Sequence, residues 1–337
     1  MRLMHRLTKN IGNSHSIANF NSGIKPEIKR VLISRPNHRL GNQLLLTPLV
    51  QEVIEIFPDC KIDLFVKGGV AHPVFENYKN VDQIIQLPKK PFSHLISYAL
   101  KWASLKKHQY DLVINGDKNS SSGRLSTQLA KSKFKVFGEA NDSIQLTFDD
   151  YEHIAKYPVY NLRDYLSKIG FPKNNNPVFT INIKLTDTEI AKGKRILNDL
   201  VKNNKPTICI YTNATGDKCY DEMWWTAFYH RLKKEYPEYN IIELLPIENI
   251  SKINFKAPNL YSKDVREMCA LIANTSIFIA ADNGVMHLAS AAQIPVVGFF
   301  KVTSIDKYQP YGNNSIAFNT NETNLDDWIK SIGNILN

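Results

Sequence analysis

An α/β fold of two doubly wound parallel-sheet domains is the fold class that this sequence predicts, and three observations carry it. Short apolar, β-branched runs alternate with helix-length amphipathic stretches, the alternation that builds parallel sheets covered on both faces. The alternation comes as two series, separated by an irregular region, 139–177, that ends in the Pro- and Asn-rich stretch 171–177. A chain of 337 residues is also long for one domain and suits two. The expected organisation is an extension, 1–27, a first domain, 28–172, and a second domain, 173–337, with a cleft between the domains.

The first series opens with a strand at 30–34 (RVLIS) and a polar loop at 35–42. A helix over 43–57 follows, with Leu44, Leu45, Val50, Val53, Ile54 and Ile56 as its apolar residues and a kink at Pro48. Strands are predicted at 61–66 and 81–87, a helix at 94–107, a strand at 110–115, a helix at 121–131 and a strand at 133–138. Within the irregular region only a helix at 159–170 is predicted. The second series runs helix 189–203, strand 206–211, helix 223–236, strand 240–245 and helix 264–273. A strand at 276–280, a helix at 285–292, a strand at 296–300 and an amphipathic C-terminal helix at 324–336 complete it. Val285, Leu288, Ala289 and Ala292 share one face of the helix that Gln293, Ile294 and Pro295 end. There is no short-period repeat.

The net charge of +10 suits a polyanionic partner: nucleic acid, an anionic membrane or a phosphorylated substrate. No nucleic-acid-binding motif and no zinc spacing occur, so nucleic acid is the weakest of the three. Cys60, Cys209, Cys219 and Cys269 form no C-x-x-C, and Cys209 and Cys269 lie in apolar patterns. Buried thiols and a reducing compartment are expected. No apolar run reaches bilayer-spanning length, and the N-terminus lacks the continuous apolar stretch of a secretory signal. Residues 1–23 carry Leu3, Met4, Leu7 and Ile11 on one helical face among Arg2, His5, Arg6 and Lys9. They read as a basic amphipathic segment on an anionic membrane, or as a poorly ordered extension; the Asn-, Ser- and Gly-rich residues that follow favour the second.

Chemistry gathers in a few loops. In 276–300 a strand, the turn Asp282-Asn283-Gly284 and a helix follow one another. Open α/β sheets bind ligands at such strand ends, and helix N-termini bind phosphate. Gly284 would admit an anion close to backbone N–H groups, and His287, one turn into the helix, would face the same place. The loop after the first strand lacks G-x-G-x-x-G, so it is no dinucleotide fingerprint. Its Arg35, His38 and Arg39 suit an anionic substrate or a basic surface loop. After the 206–211 strand come Thr212, Asn213, Thr215, Gly216 and Lys218. Hydroxyls, backbone N–H groups and a lysine at that place suit a diphosphate. Trp224 and Trp225 read as helix packing. No D-x-D or metal-ligand cluster stands out, and no metal or cofactor is expected.

Two stretches carry a family resemblance. Asp282-x-Gly284-x-x-His287, a small-residue helix and Pro295-Val296-Val297 form one. Leu40-Gly41-Asn42-Gln43-Leu44-Leu45-Leu46-Thr47-Pro48, with Arg39 before it and Arg35 upstream, forms the other. Both resemble the signatures of glycosyltransferase family 9, the heptosyltransferases. The resemblance implies the GT-B form, two Rossmann-like domains, with acceptor on the first and nucleotide-sugar donor on the second. It implies inverting transfer of a sugar, such as heptose from ADP-heptose, to a lipopolysaccharide core or related anionic glycolipid acceptor. Localisation is then cytoplasmic, peripheral on the inner face of the cytoplasmic membrane. By the same resemblance Arg35, Arg39 and Gly41 serve the acceptor, and Asp282 lies near the sugar or ribose. Asn283 and Gly284 meet the diphosphate, His287 completes that side, and Lys218, in Lys218-Cys219-Tyr220, steadies the leaving group. Thr215 best matches the phosphate-binding hydroxyl, with Thr212 as the alternative and Asn213 in the same loop. Glu248, rather than the in-strand Glu243, is the candidate for the ribose. The chain departs at Asn42, where the family has the aspartate thought to be the general base. Asn42 still suits orienting a hydroxyl, and His38 is a candidate replacement base. A transfer-deficient sugar-nucleotide binding protein and a GT-B epimerase stay open as alternatives.

Overall fold

The computed structural model describes residues 25–90 and 93–336; the basic segment 1–23 lies outside them. The chain divides between Phe179 and Thr180 into two compact units, against an expected division at 172/173. The reason is local: Thr180 Oγ1 donates to Gln293 Oε1 at 3.0 Å, and Ile181 and Ile183 are buried. The extended stretch from Thr180 onward therefore packs with the second unit.

The first unit runs β1 (Arg30–Arg35), α1 (Leu40–Leu44), α2 (Thr47–Ile56), β2 (Lys61–Lys67), α3 (Ala71–Phe75) and β3 (Val81–Leu87). It continues with α4 (Leu95–Ser104), β4 (Gln109–Asn115), α5 (Ser121–Leu129), β5 (Lys131–Val136), α6 (Asp142–Gln145) and α7 (Tyr157–Lys168). Its sheet has the order β3-β2-β1-β4-β5, parallel throughout. Val31, Leu32 and Ile33 of β1 are fully buried, as a strand covered on both faces requires. Buried charges inside the unit are paired at two places. Arg30 Nη2 donates to the buried Asp63 at 2.8 Å, and the Tyr110 hydroxyl donates to the same carboxylate at 2.9 Å. Arg163 holds Glu52 with a two-pronged contact at 2.7 and 2.8 Å, fixing α7 to α2.

The expected helix 43–57 is two helices. The first begins earlier, so Gly41 and Asn42 are helical, and the chain breaks at Leu45–Leu46. Pro48 does not kink a helix; it sits in the first turn of α2, where its missing N–H has no intrahelical partner to lose. The short helices α3 and α6 were not anticipated.

The second unit runs α8 (Asp187–Val201), β6 (Thr207–Tyr211), α9 (Glu222–Glu235), β7 (Asn240–Leu245), β8 (Asn259–Tyr261) and α10 (Val265–Ile272). Then come β9 (Ile277–Ala281), α11 (Gly284–Ala291), β10 (Val296–Phe300), α12 (Ile305–Tyr308), β11 (Ile316–Asn319) and α13 (Leu325–Leu336). Its sheet, β11-β10-β9-β6-β7-β8, is parallel too. The fold is thus α/β with two Rossmann-like units. Helix α8 starts with a capping box between Thr186 and Glu189, and it packs so closely on α10 that a Cβ at Gly193 would lie 2.1 Å from the Ala270 carbonyl oxygen. Trp225, Phe228, Phe299 and Trp328 interlock in the core, and Trp224 stacks on Tyr220 at 4.2 Å. Both α9 tryptophans are packing residues, as read from sequence. Cys60, Cys209 and Cys269 are buried, Cys219 is half-buried, and all are free thiols. Among the described residues no helix is long and apolar enough to cross a membrane.

Candidate functional site

Each sheet has one place where the strand order reverses. In the first unit it lies between β1 and β4, in the second between β6 and β9. Loops leaving adjacent strands part there and open a crevice at the carboxyl ends, the ligand position of doubly wound sheets. Most of the sequence-predicted residues lie in the loops and helix starts at these two places; Glu248 lies after β7.

In the second unit the loops after β6, β9 and β10 are tied together. Asn283 caps α11: its Oδ1 accepts from the N–H groups of Val285 and Met286 at 2.7 and 2.9 Å. Its Nδ2 donates to the Asn213 carbonyl at 3.1 Å, joining the β9 loop to the β6 loop across the reversal. Asp282 is 4% exposed, and its Oδ2 receives Lys218 Nζ at 3.1 Å and the Thr303 hydroxyl at 2.7 Å. Lys218 ends a single 3-10 turn, Gly216–Lys218. Gly216, at φ +62, takes the left-handed conformation that favours glycine. Lys301 Nζ donates to the Cys219 carbonyl at 2.9 Å and lies 4.8 Å from the centre of the Tyr220 ring. The β6–β9 reversal therefore brings together two lysines, a held carboxylate and a helix N-terminus.

Three residues expected there are placed differently. Thr212 is buried; its hydroxyl donates to Glu243 Oε1 at 2.6 Å and accepts from the Lys252 N–H at 3.0 Å. Its hydroxyl is thus engaged within the protein on both sides, whereas Thr215 is exposed. His287 is 3% exposed, because α11 is covered on nearly all sides from Met286 onward. Asn283 spends its carbonyl oxygen on the cap rather than on a ligand. Glu243 is fully buried between the Thr212 and Ser251 hydroxyls, each at 2.6 Å. Burial pushes its carboxyl up, against the lowering effect of those two hydrogen bonds. Glu248 is exposed in the loop after β7.

In the first unit Arg35 is the surprise. It was expected to reach a substrate, yet it is 1% exposed. Its Nη1 donates to the Gly116 carbonyl at 3.3 Å, after β4, and its Nη2 donates to Asn42 Oδ1 at 3.0 Å. Arg35 thus spans the β1–β4 reversal and fixes the Asn42 amide from below. The held amide can still orient a hydroxyl by hydrogen bonding, but, unlike a carboxylate, it takes up no proton. Gly41 is buried in α1, while His38 and Arg39 are exposed in the loop before it. Partial desolvation, followed by the charges of Lys67, Lys89 and Arg39, holds the His38 imidazole below the ordinary histidine value.

Sequence reasoning missed Lys67, Lys89, Lys301 and Thr303. The signal was available: all four lie at or just past the carboxyl end of a strand, β2, β3 or β10. Among the described residues no group of three or more His, Cys, Asp or Glu is arranged to hold a metal ion.

Comparison with known proteins bears on this geometry. Residues 99–330 match the family described as glycosyltransferase family 9 (heptosyltransferase). The chain is 21% identical over 303 residues to lipopolysaccharide heptosyltransferase 3 of Escherichia coli, covering 82% of this chain and 85% of that one. It is 23% identical over 278 residues to the lipopolysaccharide core heptosyltransferase OpsX of Haemophilus influenzae, covering 79% and 77%. In structure it is similar to a family 9 glycosyltransferase from Veillonella parvula, with TM-score 0.72, 15% identity, and 93% and 98% of the two chains covered. It is also similar to the E. coli heptosyltransferase WaaC with ADP, with TM-score 0.66, 16% identity, and coverage of 91% and 99%. The two Rossmann-like units are the GT-B form of these relatives, and the family match extends over well more than half of the chain. This chain belongs to glycosyltransferase family 9 and is a glycosyltransferase of the heptosyltransferase kind.

Proposed function

We propose that the protein transfers a heptose-type sugar from a nucleoside diphosphate sugar to an anionic lipopolysaccharide-type acceptor, with inversion at the anomeric carbon. The observation that carries this reading is the β6–β9 reversal, where Lys218, Asp282 and the N-terminus of α11 converge. A diphosphate there would draw Lys218 away from Asp282, accept from the Thr215 hydroxyl and approach the backbone at Gly284. WaaC was solved with ADP, which makes ADP-heptose the first donor to test.

The acceptor belongs on the first unit. His38, Arg39, Lys67 and Lys89 gather positive charge around one loop, a setting that a phosphorylated or acidic glycolipid would neutralise. The acceptor oxygen bonds to the anomeric carbon as the bond from that carbon to the diphosphate breaks. The hydroxyl proton goes to the neutral imidazole of His38, and the Asn42 NH₂ orients the hydroxyl. Lys218 neutralises the charge that develops on the departing diphosphate. The reaction would take place where its lipid acceptor is made, on the cytoplasmic side of a membrane.

One observation favours a second reading. Asn42 is an amide held by Arg35 and cannot act as the proton-accepting base, so a protein that binds the sugar nucleotide without transferring it fits as well. Labelled ADP-heptose with and without a heptose-deficient lipopolysaccharide acceptor distinguishes the two. Label appearing in the acceptor with inverted configuration supports transfer. Tight binding with only slow hydrolysis supports the binding protein, and a configurational change in the donor without acceptor points to an epimerase.

A further inference from the structure

One surface of the first unit is left over by this chemistry. Helix α4 has the sequence LISYALKWAS. Tyr98 and Trp102, one turn apart, pack on the core beneath the sheet. The remaining apolar residues fan outward at 100° per residue, Leu95, Ala99, Ala103, Ile96 and Leu100 in order around one arc. Leu95 is 61%, Ile96 80% and Leu100 64% exposed, and no residue of α4 is buried. Three large apolar side chains on one helix face are more than scattered surface hydrophobics, and such patches mark interaction surfaces. The face continues into an open hollow against β3, the edge strand of the sheet, lined by Ile84 and Ile85 together with Ile96 and Leu100.

The segment that carries this face, between Asp82 and Asp111, has charges of one sign. Residues 83–110 contain five lysines, Lys89, Lys90, Lys101, Lys106 and Lys107, and no Asp or Glu. Lysines bordering an apolar helix face match an anionic bilayer, whose headgroups pair with the ammonium groups while the apolar side chains enter the acyl boundary. A protein partner with an acidic rim has the same signs, but the length of the lysine run and the absence of any carboxylate in it favour a diffuse anionic surface over a specific ion-pair pattern. We propose that the outer face of α4 docks the protein on an anionic membrane, with Leu95, Ile96 and Leu100 inserted and Lys101, Lys106 and Lys107 at the headgroups. The location serves the reading above without depending on it. Lys89, which neighbours His38 at Gly68, stands in the loop leading into α4, so a docked α4 brings the headgroup layer beside the basic acceptor loop.

Co-sedimentation of the full chain with vesicles tests this directly. Three proteins are compared on phosphatidylglycerol-containing and pure phosphatidylcholine vesicles: wild type, Leu95→Ser/Ile96→Ser/Leu100→Ser, and a chain lacking residues 1–24. The substituted side chains are exposed, and unchanged circular dichroism and thermal unfolding verify that the fold is intact. The expected result is binding to anionic vesicles only, weakened roughly tenfold or more by the triple substitution and retained without residues 1–24. Binding that survives the triple substitution but is lost without residues 1–24 would assign the membrane contact to the N-terminal segment and overturn the proposal. Binding to neither vesicle would overturn it as well, including the case in which a protein covers α4. Because the readout is sedimentation, failure of the transferase reading leaves it untouched.

Discussion

The two strand-order reversals are built from similar parts and hold them differently. At β6–β9 the charges are opposed and paired: Lys218 on Asp282, Thr303 on the same oxygen, Asn283 clamped to the Asn213 loop. At β1–β4 the Arg35 clamp is buried, and the groups around the loop above it, the exposed His38, Arg39 and Lys89 and the half-buried Lys67, are basic. A paired site keeps a lysine in position until a compact anion of fixed geometry takes it over. A like-charged site is held apart by its own repulsion and gains most from a ligand that brings several negative charges. The contrast is what the proposed reading expects, with a diphosphate on the second unit and an extended anionic acceptor on the first.

The strongest way to break that division is at His38. His38→Gln is expected to lower kcat for transfer by roughly 10²-fold or more, the usual contribution of a general base, with donor affinity unchanged. In wild type the rate should rise with pH through a value below 6.5, the ordinary histidine pKa, because the shift is downward. Below that value the imidazole is protonated and cannot accept the proton. A pH–rate profile of both proteins checks this; an acid limb that persists in His38→Gln assigns the base elsewhere. Next in size, Lys218→Ala should weaken nucleoside diphosphate binding by about 10- to 100-fold, the equivalent of one charge-assisted hydrogen bond. Equilibrium titration reads it, and the same substitution should leave acceptor binding alone. Asn283→Ala removes the cap of α11 and the tie to Asn213, so thermal or denaturant unfolding should show a loss of about 1 kcal/mol. Full stability in that variant would mean that the β9 loop keeps its shape without the clamp.

The smallest effect lies away from both sites and serves as a control. Arg266, by hydrogen bonding, lowers the Glu189 carboxyl to about 2 from its ordinary 4.5. A depressed carboxyl contributes stability that is present above pH about 4.5 and lost as pH falls toward about 2. Glu189→Gln should therefore flatten part of the acid-unfolding curve in that window without moving transfer at neutral pH.

What the sequence disclosed follows from how local each feature is. Strands Asn240–Leu245 and Val296–Phe300 have the bounds read from their apolar runs, because strands buried on both faces announce themselves residue by residue. The edge strands β8 and β11 did not, being short and partly exposed. The turn at Asp282-Asn283-Gly284 was legible for the same local reason: a strand end, a capping residue and a helix start lie within a few positions. Arg35 was not, since its burial depends on the Gly116 carbonyl, 81 residues away, and on a helix that starts at Leu40 instead of Gln43. The burial of Thr212, the alternative to Thr215, was not legible because its partner Glu243 belongs to another strand, and in sequence a buried threonine after a strand looks the same as a ligand-facing one. Lys67 and Lys89 went unnoticed because only the parallel order of β1, β2 and β3 brings their strand ends beside the His38 loop.

The division of labour between the two reversals is tested most directly by calorimetric titration of a panel of nucleoside diphosphates into wild type, Lys218→Ala and His38→Gln. The account predicts selective binding of one diphosphate to wild type, a marked loss of affinity in Lys218→Ala, because Lys218 is the group the diphosphate would take over from Asp282, and an unchanged dissociation constant in His38→Gln. A dissociation constant indifferent to Lys218→Ala, or one that moves with His38→Gln, would contradict it.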